Sequence, residues 1–275
     1  MFRAEVGLRK LRIGVVSYLN AMPLWYALRH EQDIELVPDT PARLAAAMAA
    51  DELDLGLLPV VEALRDPRLS FFPDLGIGAD GIVESVGLFT REDLSALRTV
   101  ALTEASRTSV ALTRVILHAA GAKPEYVDAP VDANSLPSRT EDAVLLIGDE
   151  CLRAHKSPSD RVFVDLAAEW RLLTDLPFVF AVWAGPKRAL TRELHARLQE
   201  ALQAGREIVH DFVRYAAMDT GWSEEALGVY LSETIQHDLS PGHMKGLLEF
   251  TRRAAALGLV PREAVDKVLG VIAGG

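Results

Sequence analysis

Apolar positions along this chain follow two rhythms, and the changes between them mark out its elements. Residues 11–16 form a short apolar run rich in β-branched side chains, which reads as a buried strand. Residues 22–31 read as a helix, with Pro23 in the first turn, where a missing N–H costs little. A second strand is predicted over 34–37. Thr40 and Pro41 then supply an N-cap and a first helical residue for a helix through Ala50. A third strand covers 53–58, and another helix follows Pro59. Strand, helix, strand, helix, strand implies a parallel sheet with helices on its faces.

The pattern then restarts. A long apolar strand is predicted over 82–90, followed by the charged break Arg91-Glu92-Asp93. Residues 98–102 read as a strand, and Ser106 opens a helix that ends near Gly121. Residues 143–147 are another buried strand, and 177–183 the last clear one. From Lys187 onward the chain reads as helical, with breaks near Gly221 and Pro241. The fold class is therefore α/β. The restart near 92 and the end of the strands near 184 predict a discontinuous first lobe, 1–90 and 181–275. A second lobe, 91–180, is inserted into it. Ligands in such sheets sit at the carboxyl ends of parallel strands, and clefts between lobes favour binding.

Composition narrows the partners. The 275 residues are 49 % hydrophobic and 25 % charged, with a net charge of −10. No stripe of Lys or Arg is present, which argues against nucleic acid. An acidic protein does not steer anions from a distance, so an anionic ligand would need local donors. The single cysteine, Cys151, excludes an intramolecular disulfide and a Cys-rich zinc site. Its acidic neighbours Asp149 and Glu150 disfavour a thiolate, so it reads as packing. Arg9, Lys10 and Arg12 lead into an apolar run as in an export signal, but that run stops at Ser17, too short for one. No stretch reaches the roughly 18 apolar residues of a spanning helix. The expectation is a cytoplasmic protein with no membrane partner; nothing in the pattern specifies an oligomeric state.

Candidate chemistry is concentrated in three places. Gly76, Gly78 and Gly81 match G-x-G-x-x-G, but the residues after them read as a strand. A dinucleotide fingerprint must open a helix, so the glycines are expected to shape a turn instead. The seven histidines are scattered, and Pro241-Gly242 separates the nearest pair, His237 and His243; no metal and no cofactor are expected. No G-x-S-x-G elbow occurs, although a triad assembled from distant residues remains open. Thr103, Ser106, Arg107, Thr108 and Ser109 cluster where a strand enters a helix, whose free N–H groups suit an anion; equally, Ser106 is a plain helix cap. Ser17 and Asn20 occupy the same kind of turn in the first lobe, and there too Asn20 reads either as a cap or as a ligand contact. Ser85 is a lone hydroxyl in an apolar strand and needs a partner.

Six segments together carry a resemblance: "RIGVVSYLNAMPL", "DLGLLPVVEAL", "DLGIGADGIVESVGLFT", "LTEASRTSVALTRVIL", "AVLLIGDECL" and "TDLPFVFAVWAG". Over about residues 11–185 the chain resembles the chorismate dehydratase family of the futalosine route to menaquinone. Cys151 stands where a small residue is expected. The resemblance implies a two-lobed fold like type II periplasmic binding proteins. It also implies a lyase that converts chorismate to 3-[(1-carboxyvinyl)oxy]benzoate and water without a cofactor. It assigns catalytic roles to Asn20 and Ser85, and substrate binding to the Ser/Thr-rich helix start.

Loss of the C3 proton and the C4 hydroxyl aromatises the ring, so the driving force lies in the substrate. Asn20 and Ser85 are neutral and are poor bases near pH 7. The expected mechanism is therefore substrate-assisted, with the enolpyruvyl carboxylate taking the C3 proton. Glu84 and Glu104 are the alternative bases, and Arg107 the expected carboxylate partner. Two other readings stay open: a cytoplasmic, non-catalytic sensor of a small carboxylate, and the sibling synthase that makes 1,4-dihydroxy-6-naphthoate.

Overall fold

The protein was analysed as a computed structural model that describes residues 9–274. The outermost residues of the expected first lobe, 1–8 and 275, lie outside that range. The chain opens with β1 (Leu11–Val15), a 3-10 turn (Leu19–Ala21) and the short α1 (Met22–Trp25), which continues as a further 3-10 turn (Tyr26–His30). Next come β2 (Ile34–Pro38), α2 (Pro41–Ala49), β3 (Leu55–Pro59) and α3 (Val60–Arg65). As expected, the Thr40 side chain caps α2 by accepting from the Arg43 N–H, with Pro41 behind it. β1 pairs in parallel with both β2 and β3.

Of the glycines in the G-x-G-x-x-G match, only Gly81 lies in a bend, with φ 104°. Gly76 and Gly78 lie inside β4 (Leu69–Ala79), a strand the hydrophobic pattern does not reveal. The reason is steric: a Cβ on Gly76 would sit 2.3 Å from the Ala181 carbonyl oxygen of the neighbouring strand.

The chain then crosses to a second sheet, with β5 (Val86–Thr90), β6 (Thr99–Leu102), α4 (Arg107–Ala119), β7 (Glu125–Asp128), β8 (Ala143–Ile147), α5 (Gly148–Ala154), β9 (Val162–Asp165) and α6 (Leu166–Thr174). It returns through β10 (Phe178–Pro186) and ends in α7 (Arg192–Glu207), α8 (Val209–Thr220), α9 (Glu224–Val229), a π-helical turn (Tyr230–Thr234), β11 (Gln236–Asp238), α10 (Pro241–Ala256) and α11 (Ala264–Gly274). The C-terminal region is thus helical with one strand in it, β11, which three residues without an apolar run conceal.

The first sheet has the order β11-β4-β10-β3-β1-β2 and the second β7-β6-β8-β5-β9. Two expectations are corrected here. Residues 86–90, placed in the first lobe, form an inner strand of the second sheet. The division at 180/181 falls inside β10, which belongs to the first sheet along its whole length. The chain changes sheets near 80–85 and again near 175–177. At the second crossing Trp170, Phe178 and Phe250 stack edge to face, with ring centroids 5.0–6.1 Å apart. Trp170 and Phe250 are fully buried and Phe178 almost so, and this aromatic cluster ties α6 and α10 to β10.

Candidate active site

A cavity of about 60 Å³ lies between the two sheets. From the first sheet it is lined by Val16, Tyr18 and Asn20 beyond β1, and by Leu57 and Pro59 at the end of β3. This is the carboxyl edge of the parallel strands. Ser106, Ser109, Ile147 and Gly148 face them from the second.

No lining side chain is an Asp, Glu, Lys, Arg or His. Five helix beginnings converge here instead. Asn20 precedes α1, Pro41 begins α2, Pro59 precedes α3, Ser106 caps α4 and Gly148 begins α5. Helix starts carry partial positive charge, which suits an anion without a cation in the cavity, although Pro41 has no N–H and the Val61, Ser109 and Gly148 N–H groups are already bonded within the protein.

On α4, the Ser106 Oγ accepts from the Ser109 N–H at 3.2 Å, and the two hydroxyls lie 3.0 Å apart. Ser106 is the helix cap, and it also lines the cavity. The other residues of the cluster part company. Thr108 is buried, and its Oγ1 accepts from the Val61 N–H of α3 at 3.3 Å, a bond between the lobes. Thr103 is buried and accepts from the Ala105 N–H. Arg107 and Glu104 are exposed and do not line the cavity. A helix turns about 100° per residue, so 106 and 109 share a face that 107 does not.

The opening turn is sorted in the same way. Ser17 is exposed and does not line the cavity, whereas Tyr18 and Asn20 do. Asn20 is not a helix cap: it sits inside the 3-10 turn, whose N-cap position is Tyr18. Its Oδ1 is buried without a hydrogen-bond partner. The turn is anchored from both sides. The Leu19 N–H donates to Asp149 Oδ1 across the cleft at 3.1 Å, and His237 Nε2 donates to the Asn20 carbonyl at 2.7 Å. Burial, with Asp149 and Glu150 nearby, pushes the Tyr18 hydroxyl up to about 12, so it stays protonated and can donate. Burial also raises Asp149 to about 6, against the Leu19 hydrogen bond and Arg153, which lower it.

Ser85 is not in a strand, as expected, but in the crossing just before β5. It is fully buried, its Oγ has no partner, and its neighbours Val83 and Val86 line the cavity in its place. The preceding Glu84 has φ 60°, a strained value for a residue with a side chain. Lobe 2 holds it there. Asp165 Oδ2 accepts from the Val83 and Glu84 N–H groups at 2.9 and 2.7 Å. His155 Nε2 donates to the Glu84 carbonyl, and the Gly148 N–H donates to the Ser85 carbonyl at 2.7 Å. Gly148 itself has φ 57°, and a Cβ there would press on the Tyr18 ring at 3.1 Å.

Sequence reasoning missed Tyr18, Asp149, Asp165, Tyr230 and His237. Of these, only Asp165 carried a legible signal, as an N-cap before an apolar helix. Tyr230 is buried with its hydroxyl facing Ser85 and Asn20, and burial raises it strongly. Cys151 is buried, bonds through Sγ to the Glu84 carbonyl, and is pushed well up by burial, as packing requires.

Known proteins share the sequence family and the fold. A chorismate dehydratase of Thermus thermophilus is 33 % identical over 222 residues, covering 73 % of this chain and 81 % of that one. A chorismate dehydratase of Campylobacter jejuni is 25 % identical over 256 residues, covering 90 % and 98 %. In fold, the chain is similar to a Candida albicans gene product with the generic periplasmic binding protein structural fold. The TM-score is 0.64 at 12 % identity, covering 96 % of this chain and 95 % of that one. The two-lobed architecture is therefore that of periplasmic binding proteins. Over residues 11–256 the sequence fits the menaquinone biosynthesis family, and the chain belongs to that family.

Proposed function

We propose that this chain is a cytoplasmic hydro-lyase that dehydrates chorismate to 3-[(1-carboxyvinyl)oxy]benzoate, by a mechanism in which the substrate supplies its own base. The observation that carries the reading is the cavity lining: converging helix starts and neutral donors, with no acid or base among the side chains. Such a site can bind a dicarboxylate but has no group of its own to take a proton near neutral pH. The enolpyruvyl carboxylate takes the C3 proton, and the electrons of the C3–H bond form the new ring double bond. The C4–O bond breaks, and the oxygen leaves as water with a returned proton. Tyr18, Ser106 and Ser109 hold the carboxylates. Asn20 and Ser85 orient the ring and stabilise the departing oxygen; Ser85 reaches it once the crossing at 80–85 adjusts. The relatives' names support this substrate, and the segment that mimics an export signal is β1, inside the sheet.

The same reading divides the chain into lobes of 9–79 with 178–274 and of 86–174, hinged at the two crossings. Among the described residues no helix is long and apolar enough to cross a membrane. Incubation with chorismate tests the proposal: the product mass should fall by one water as diene absorbance gives way to that of a benzoate. Chorismate that binds and is recovered unchanged would leave a sensor.

A further inference from the structure

We infer that His237 is a positioning residue for Asn20, acting on its backbone from the strand at the edge of the first sheet. The inference rests on the proposed role of Asn20. His237 belongs to β11, which pairs with β4 and follows Asn20 by 217 residues. Its ring is buried, and Nε2 lies 2.7 Å from the Asn20 carbonyl oxygen. A carbonyl only accepts, so Nε2 carries the hydrogen and the tautomer is fixed. Burial, with Arg206 nearby, lowers the imidazole to about 4, against the Asn20 carbonyl and Asp238, so the ring is neutral at pH 7.

Three bonds pin the turn, each on a different residue. The Leu19 N–H goes to Asp149, the Ala21 N–H to the Tyr18 carbonyl, and the Asn20 carbonyl receives His237. Among the described residues, His237 is the one side chain that bonds the Asn20 backbone, while the Tyr230 hydroxyl faces the Asn20 side chain. Asn20 Oδ1 has no partner, so no hydrogen bond through that oxygen aims the side chain. Its position relative to Tyr230 and the cavity therefore depends on where the backbone is held. A second cavity of about 560 Å³, lined with Arg206, Leu231, Glu233 and Gln236, also reaches His237, so the imidazole fills space that a shorter side chain would leave open. A misplacement of about 1 Å at a reacting group can cost ~10²-fold in rate.

The test compares kcat and KM for chorismate in His237→Leu, His237→Gln, Asn20→Ala and the Asn20→Ala/His237→Leu double variant. Leucine should lower kcat about tenfold to a hundredfold while KM stays within about twofold. Glutamine, whose amide can donate to the same carbonyl, should restore kcat to within about threefold of the parent. On the Asn20→Ala background the leucine change should cost almost nothing further, because the two act through one group. Equal losses in the leucine and glutamine variants, or a full penalty without Asn20, would overturn the inference and leave a structural role. Normal turnover in His237→Leu beside an impaired Asn20→Ala overturns it alone; normal turnover in Asn20→Ala overturns both readings. If the leucine variant does not fold, His237→Asn, which falls short of the carbonyl, takes its place.

Discussion

Asn20 enters the cavity from one lobe and Ser106 from the other, and neither can change its charge near neutral pH. Replacing Asn20 by Ala should cost roughly 10²–10³ in kcat, the usual loss for one preorganised donor. Its thermal midpoint should barely move, since Oδ1 has no partner to lose. Asp149 is the discriminating neighbour, being raised to about 6 and next to Gly148 in the lining. Asp149→Asn should keep near-normal kcat; a loss of ~10²-fold or more would make Asp149 the base. The same variant reports on stability. Asp149 titrates near 3.8 when unfolded and near 6 when folded. Between those values the folded state holds more protons, so the Asp149 contribution is greatest below about pH 4 and declines as pH rises through 6. The asparagine variant should therefore be more stable at pH 7, by an order of 2–3 kcal/mol, with the advantage vanishing below pH 4. Denaturant midpoints at the two pH values check this. Residue types at the site were legible in the sequence; directions were not. Ser106 and Ser109 share a helix face that Arg107 leaves, and Ser17 turns outward between Val16 and Tyr18.

Elements place these residues through a few shared groups, and Asp165 is the clearest. One oxygen caps α6 through the Ala167 and Ala168 N–H groups at 2.9 and 3.0 Å. The other holds the Val83 and Glu84 N–H groups, and so fixes the strained residue before Ser85. Asp165→Ala should destabilise the protein by roughly 2–4 kcal/mol, from the lost cap and two unsatisfied donors. It should also lower kcat, because Glu84 is then free to relax; chemical denaturation and steady-state rates separate the two effects. The parallel strands β1 and β3 were legible because they are short, apolar and bounded by caps or prolines. β4 was hidden by glycines that a close neighbour requires, and β11 by its three polar residues. Both escape period-based reading for the same reason: their pairing is decided by a strand far away in sequence.

For the molecule as a whole, the cavity of about 60 Å³ is far smaller than the roughly 300–1,000 Å³ of sites that enclose a ligand. The lobes must part to admit one, and the bonds that span them set how readily they do. Thr108→Val keeps the shape but removes the acceptor of the buried Val61 N–H. It should cost about 1–3 kcal/mol of stability and shift the free protein toward an open form, seen as a larger radius of gyration by small-angle scattering. The discontinuous first sheet has a consequence during synthesis. β3 and β4 are not neighbours until β10 slips between them, and β4 gains its outer partner only with β11. Residues 86–174 can thus emerge from the ribosome and fold while the lobe that began the chain is still missing strands. The turn that carries Asn20 is made early, but its carbonyl meets His237 only after a further 217 residues have been translated.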